Sequence, residues 1–589
     1  MKRFVVLLLS IFLLFGCGSP ATDTSSTSNL TDGTYEGVGQ GKNGDVKISI
    51  TIENGEIVDG KVVETKETAG YASASDVILE NVIASNSLDV DIVTGSTMTS
   101  EATLEAIKDC LAQAGGSEAD LIKKEVGEAG EKELIVEEHQ VVVVGAGGAG
   151  LVAAIEAKNN GVEDVIIIEK MPFVGGNTLI SGAEMAAPGN HLQEAEGIED
   201  SADLYYEDVL VAGGDPALVR VLADNSLEDS KWMADEIGVI WIDELMFFGG
   251  HTVKRSLIPL GNRGTELITK LEAKAKDLGI KILLNTAATE LITDDSGAVV
   301  GVKAEGKDAD YEFNAKAVIL ATGGFGNNVE MRVKYDPSVD DSILSTNAAG
   351  IDGDGIVMAE AVGADLVGME YIQLYPVCHP ETGALLYVDD VRLFGATIIV
   401  NEEGERFVEE LETRYVMSMA VKEQTGSVAY ELMTLQAAID AGVLENHKAE
   451  VDDLMENGFL VQADTLEEVA ELMGVDPDNL VATVEKWNSY VDGGKDLDFN
   501  KRGKLFRIDE APYWLLKFAP AVHHTMGGVK IDTSTHVINT EGEIIPGLYA
   551  AGEVTGGIHG NNRLGSVAIA DIVVFGRIAG QTAAKEIAE

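Results

Sequence analysis

Gln140-Val141-Val142-Val143-Val144-Gly145-Ala146-Gly147-Gly148-Ala149-Gly150 is the stretch on which the fold turns. Four consecutive valines form a β-branched run of the kind that is buried on both faces inside a parallel sheet. Glycines at 145, 147 and 150 follow at once in G-x-G-x-x-G spacing, and a helical stretch from Leu151 to Lys158 comes next. A second strand, Val165 to Ile168, ends in Glu169, with Lys170 beside it. Strand, turn, helix and strand in this order make the βαβ unit that binds a dinucleotide. Gly145 permits the tight turn, Gly147 lets backbone approach a pyrophosphate, and Gly150 lets the helix pack on the strand. Ala146, Gly148 and Ala149 complete the turn at a helix N-terminus, which favours phosphate charge. Glu169 is placed to accept the ribose hydroxyls. The glycine pattern alone carries little; the four elements in register carry the assignment.

Outward from this unit, the 589 residues allow three or four domains. Forty-two basic residues against 99 acidic give a formal charge of −57, which argues against nucleic acid or an anionic membrane surface as partner. At the N-terminus Lys2 and Arg3 precede an apolar run, Phe4 to Phe15, too short to span a bilayer. It ends in Leu14-Phe15-Gly16-Cys17, and a Ser/Thr-rich tract from Ser19 to Ser28 follows. This resembles a bacterial lipoprotein signal, which implies lipidation of Cys17 and an exported protein anchored to the cell membrane. Cys110 and Cys378 then remain, too few for a disulfide framework or a cysteine-ligated cluster, and no metal centre is expected. The expected organisation is a signal peptide (1–17), a flexible spacer (18–30), a small α+β domain (31–112), a linker with some helix (113–138), and a large α/β domain. The α/β domain spans 139–370 and 521–589, with an α+β cap inserted at 371–520.

In the small domain Val46 to Ile52 and Ile57 to Val63 alternate around an Asn54-Gly55 hairpin turn. A helix near Asp76 to Ala84, a strand around Val90 to Val93 and a helix from Glu101 to Leu111 are expected. Asp91-Ile92-Val93-Thr94-Gly95-Ser96-Thr97 resembles the attachment sequence of FMN-binding domains, with Ser96 in place of the commoner alanine. The resemblance implies FMN joined to Thr97 by a flavin transferase through a phosphate ester. Placement just before a helix independently suits a phosphate. The plainer alternative is that Thr97 or Thr99 caps the helix.

Further segments carry a resemblance over all of 139–589. Gly175-Gly176-Asn177-Thr178 with Ser181-Gly182, Ala321-Thr322-Gly323 after the strand Val318 to Leu320, Asp354, and Leu548 to Val554 with Gly552 and Glu553 are similar to the FAD-binding segments of fumarate-reductase-type flavoproteins. His523-His524-Thr525-Met526-Gly527-Gly528 and His559-Gly560-Asn561-Asn562-Arg563-Leu564-Gly565, followed by Ser566, resemble that family's carboxylate-holding segments. The resemblance implies FAD, a substrate carboxylate clamped by His523 and Arg563, and His524, Arg563 and Ser566 lying against the cofactor. It further implies that Arg414 protonates the substrate carbon, with Arg392 and Asp389 or Asp390 returning the proton. One departure stands out: where fumarate reductases of this type carry a second-carboxylate histidine, this chain has Tyr375, and an aspartate (389 or 390) replaces their glutamate. That combination resembles urocanate reductases, which also carry an FMN domain. The expectation is a flavin reductase of an α,β-unsaturated carboxylate fed by a membrane electron donor. Urocanate is the first expected substrate, with Tyr375 and Asp390 contacting it. Fumarate, with His379 standing in for the missing histidine, and another acrylate such as cinnamate are alternatives. From a different class, the chain could be a surface flavin electron carrier without catalysis.

Overall fold

The computed structural model describes residues 29–41, 44–67, 71–90, 92–93, 96–124, 132–307 and 309–589. Cys17 and the leader, Asp91, Thr94, Gly95 and the Thr97 side chain lie outside the described residues.

The small domain is a three-stranded antiparallel sheet, β1 (Gly33–Gly41), β2 (Gly44–Glu53) and β3 (Glu56–Thr65), paired in that order. Asn54 and Gly55 both have positive φ, as a two-residue hairpin turn demands. Alternation along β2 sends Val46, Ile48, Ile50 and Ile52 inward, against helices α1 (Ser73–Ser85) and α2 (Thr97–Gln113). The expected strand around Val90 to Val93 is not formed at residues 90, 92 and 93. There the Val93 N–H donates to Ser100 Oγ (3.1 Å) and its carbonyl accepts from Ser96 N (2.9 Å), so the backbone is spent on the start of α2.

The large domain is built on β4 (Glu133–Val144), α3 (Gly148–Asn159) and β5 (Val165–Ile168), followed by β6 (Lys281–Leu283), β7 (Thr286–Thr293), β8 (Val299–Gly306) and β9 (Ala309–Leu320). Strand order is β7-β8-β9-β4-β5-β6, with β9, β4, β5 and β6 parallel. Residues 133–138, read from sequence as linker, belong to β4. They pair in parallel with β9 from Glu133↔Ala309 onward, so ladder hydrogen bonds extend the strand beyond its buried valines.

The cap contributes β10 (Ile372–Cys378), α4 (Asp390–Leu393), β11 (Ile398–Val400), α5 (Arg414–Lys422), β12 (Ala429–Thr434), β13 (Leu460–Ala463) and the first half of β14 (Tyr513–Thr525). β10, β12 and β13 all pair antiparallel with β14. β14 runs unbroken across residues 520 and 521, so one strand carries the cap core at Trp514 and the histidines 523 and 524. The chain returns through β15 (Ile544–Ala550), which pairs with the end of β9, and closes with α6 (Val567–Ala588). By length and composition α6 could cross a membrane, but it is largely buried. A Cβ on its Gly580 would stand 2.3 Å from Ala153 O of α3, so the two helices touch at backbone distance.

Candidate active site

The G-x-G-x-x-G turn lines a cleft of about 1000 Å³. A Cβ on Gly150 would stand 2.0 Å from Gly145 O, and one on Gly145, which has φ +104°, 2.5 Å from Ala321 O. Neither position admits a side chain. Above Gly147 the nearest atom to such a Cβ is Gly175 O at 3.9 Å, leaving an open face over the free N–H groups that begin α3. Glu169 closes the turn: its carboxylate accepts from Ala146 N (2.7 Å) and Met171 N (2.8 Å). Burial pushes its pKa up and those backbone bonds pull against the shift. Lys170 ion-pairs with Asp352 (2.5 Å) and Asp354 (2.7 Å) at the cleft wall. Gly148, Ala149, Thr178, Ala321, Thr322 and Gly323 line the same cleft. Ala146, Gly150 and Gly552 do not line it; Gly150 packs on Gly145 O and Gly552 on Ala149 and Ile572, which do. An open, glycine-walled helix N-terminus with an acidic residue one strand away fits a dinucleotide.

A second cavity, about 1030 Å³, meets the first at Asn177, Thr178, Glu553 and Ile572, which line both. Asn177 donates to Glu553 (3.0 Å) and accepts from Ala348 N (2.9 Å), and Glu553 accepts from Thr525 N (3.0 Å). Ser181, Gly182, His524 and Ser566, expected against the cofactor, line this second cavity.

One part of the second cavity is cationic. Arg563 is 6% exposed, and among the described residues its Nε has no partner and its only side-chain bond is to Leu564 O (3.3 Å). Arg414, the first residue of α5, lies over the Tyr375 ring (4.8 Å) with one long contact to Gln373 Oε1 (3.4 Å). Among the described residues neither guanidinium has a carboxylate at ion-pair distance. Burying an unpaired cation costs several kcal/mol, so the arrangement is that of an anion receptor. His523 pairs with Thr346 Oγ1 (2.9 Å), and His524 sets its ring edge against His559 (5.3 Å). Burial, and then the two guanidiniums, hold both histidines well below the usual imidazole range, hence neutral.

Behind Tyr375 stands a buried line of charge. Its hydroxyl donates to Asp389 (2.9 Å), and Asp389 receives both Nε and Nη2 of Arg392 (2.6 Å each). Burial would lower the Arg392 pKa, but Asp389 outweighs it and raises it. The two aspartates therefore part company. Asp389 is the partner of Arg392, whereas Asp390 faces the cavity and accepts from Asn262 (3.2 Å). Of the two aspartates expected as alternatives for returning the proton, Asp389 is the one that contacts Arg392 among the described residues. His379 is displaced from its alternative role: its ring packs on Phe459 (4.4 Å), its Nδ1 accepts from backbone, and it does not line the cavity.

Sequence reading missed Glu184. Left-handed backbone at Ala183 (φ 57°) turns the chain, and the half-buried Glu184 lines the cavity, where Arg414 and Arg563 act on it. Burial raises its pKa, and burial followed by Glu184 and Asp389 raises that of Asp390 far more. Tyr387 lines the wall between these acids and donates to Ile180 O (3.0 Å), joining the cap to the large domain. The available signal was a lone acid among small apolar residues in Gly182-Ala183-Glu184-Met185-Ala186-Ala187, just past the Gly175–Thr178 loop.

In the small domain, Thr97 is the first residue of α2 rather than a residue ahead of it. The adjacent Ser96 hydroxyl is buried without a partner among the described residues. Thr99 donates to Glu67 (3.1 Å) and caps nothing. A helix start with an unsatisfied buried hydroxyl fits a phosphate.

Fold and site define a two-domain flavoprotein oxidoreductase. Residues 140–569 match the FAD binding domain family and residues 41–112 the FMN-binding domain family. The chain belongs to the fumarate reductase/urocanate reductase family of flavoproteins, with FAD and FMN as its cofactors. It is 43% identical over 580 residues to the urocanate reductase of Eggerthella lenta, covering 97% of this chain and 95% of that one. It is 42% identical over 451 residues to a fumarate reductase (cytochrome) of Shewanella frigidimarina, covering 76% of this chain and 77% of the other. Among solved structures, the open conformation of a flavocytochrome c3 fumarate reductase superposes with a TM-score of 0.66 at 38% identity, over 77% of this chain and 79% of that one.

Proposed function

We propose that this enzyme reduces an α,β-unsaturated carboxylate carrying an imidazole, namely urocanate, to imidazole propionate. The observation that carries the reading is the lining of the second cavity, which brings Arg563, Arg414 and His523 together with two acids, Glu184 and Asp390. A neutral imidazole presents one N–H donor and one acceptor. Two neighbouring carboxyls that share a proton match it, one ionised and accepting, the other protonated and donating. Fumarate instead would bring a second carboxylate toward two acids. At about 4 Å and an effective dielectric of 20, each such approach is opposed by roughly 4 kcal/mol when both are ionised.

Arg563 and neutral His523 hold the substrate carboxylate, Arg563 through charge-assisted hydrogen bonds. Bound FAD supplies the hydride, and bound FMN the route by which electrons arrive. Arg414 donates an N–H proton to the α-carbon, and a guanidinium charged until that moment also stabilises the negative charge developing there. Asp389 and Arg392 return the proton behind Tyr375. The bonds from Tyr387 to Ile180 and from Asn262 to Asp390 tie the cap to the large domain beside the site. FMN is carried on Thr97 by flavin transfer, and the leader ending at Cys17 supports an exported, membrane-anchored enzyme reduced by a membrane donor. Stopped-flow reoxidation of the reduced holoenzyme by urocanate, fumarate, acrylate and cinnamate tests the reading. Urocanate should be fastest; faster reoxidation by fumarate would overturn the substrate, and none by any acid would favour the electron-carrier reading.

A further inference from the structure

Glu431 lies on β12 with 0% exposure, and both its carboxyl oxygens lack a hydrogen-bond partner among the described residues. After burial, the groups acting on it most strongly are Asp389 and Arg392, then the Thr397 hydroxyl and Lys501. Across the ladder it faces Ile399, whose N–H donates to Glu410 (3.3 Å), and a polar chain that includes Glu410 runs outward beside it. Lys501 donates to Thr397 O (2.5 Å) and lies 3.6 Å from Glu410; Glu410 pairs with Arg406 (2.8 Å), and Arg406 with Asp496 (3.0 Å). Asp496 accepts from the backbone N–H of Asp498, whose side chain pairs with Lys486 at the surface.

The charge in this chain does not balance. Arg392, Lys501 and Arg406 are three cations, whereas Asp389, Glu431, Glu410 and Asp496 are four carboxyls. Asp389, Glu410 and Asp496 each hold a cation in direct contact, and Glu431 does not. An isolated buried carboxylate neutralises itself by keeping its proton. A Glu431 buried without a cation in contact therefore keeps its proton, within reach of the charges of Asp389 and Arg392 that act on it.

We infer that Glu431 is the relay carboxyl that reloads the Arg392–Arg414 line with a proton after each turnover, on the basis of the reduction proposed above. Each reduction takes one hydride and one proton into the substrate. The N–H bond of Arg414 breaks as the α-carbon C–H bond forms, leaving a neutral guanidine. A proton moved from Arg392 by way of Asp389 restores it, and Arg392 recovers its own from the O–H of Glu431. The resulting Glu431 carboxylate, briefly paired with Lys501, takes a solvent proton along Glu410, Arg406 and Asp496. No further reductant or oxidant enters.

The test uses full-length holoenzyme with Glu431→Gln, which keeps the shape and removes the transferable proton, and Glu431→Asp, which keeps an acid. Arg414 starts each experiment already protonated. The first reoxidation of reduced Glu431→Gln enzyme by urocanate should run within about twofold of wild type, while steady-state kcat falls by about tenfold or more and KM holds. Glu431→Asp should regain part of kcat. Infrared difference spectra of wild type against Glu431→Gln should show a protonated-carboxyl carbonyl band at neutral pH. An unchanged kcat, a first turnover slowed in proportion to kcat, or no such band would overturn the relay. Wild-type enzyme that no unsaturated acid reoxidises would overturn the underlying reading as well, and that outcome is separately visible.

Discussion

Arg414 is the proton donor of the proposed reaction. Replacing it with alanine should lower kcat by at least about 10³-fold while both flavins stay bound, since only the proton donor is lost. Steady-state kinetics alongside the flavin absorbance spectrum would show this; retained turnover would exclude the assignment. On the proposed reading Glu184 contributes to specificity rather than chemistry. Glu184→Gln should raise KM for urocanate by about 10- to 100-fold, the worth of one hydrogen bond to a charged group, and leave activity toward acrylate little changed. An equal loss on both acids would mean that Glu184 only supports the loop. His447 gives a pH test. Its ring stacks on Tyr387 at 4.6 Å, both nitrogens are unpartnered among the described residues, and burial, then Arg263, lowers its pKa to about 4. Neutral in the fold and protonated when unfolded below pH 6.5, it stabilises the protein above that value. The contribution is lost as pH falls toward 4, at most about 3 kcal/mol in all. His447→Phe keeps the stacking, so thermal melts between pH 6.5 and 4 should fall less steeply than wild type. Glu184 was illegible in sequence because a carboxylate's role depends on what faces it, and it is faced by residues far along the chain. Asp390 was legible as a substrate contact, but its division of labour with Asp389 was not.

At the scale of elements, the turn between β4 and α3 tolerates no added atom at Gly145 or Gly150. Gly150→Ala would drive a methyl into Gly145 O, and overpacking of this kind costs about 1–3 kcal/mol or more. The variant should lose FAD, read as the ratio of flavin to protein absorbance, well before it loses secondary structure. This turn was readable because its residues are contiguous and its geometry is local. β14 was not readable in the same way. Alternation suggests a strand, but only pairing with β10, β12 and β13 reveals that one strand ties the cap to His523 and His524. The start of β4 was missed because a partly exposed strand extension lacks the apolar run that marks its buried half.

For the whole molecule, the small domain has its own core, separate from those of the large domain and cap. Thr97→Ala should therefore leave a folded, FAD-containing protein. Flavin fluorescence that survives denaturation and gel electrophoresis should vanish, while urocanate still reoxidises chemically reduced FAD. Persistence of that fluorescence would place covalent flavin elsewhere. The βαβ unit, the flavin class and most of the family's site residues were set by contiguous motifs, because turn geometry and strand burial are encoded over a few neighbouring residues. Which aspartate serves Arg392, where His379 points, and that Glu184 shares a cavity with Arg563 were decided by tertiary structure alone. Those facts depend on distances between residues tens to hundreds of positions apart, and on burial that turns an ordinary carboxyl into one that keeps its proton.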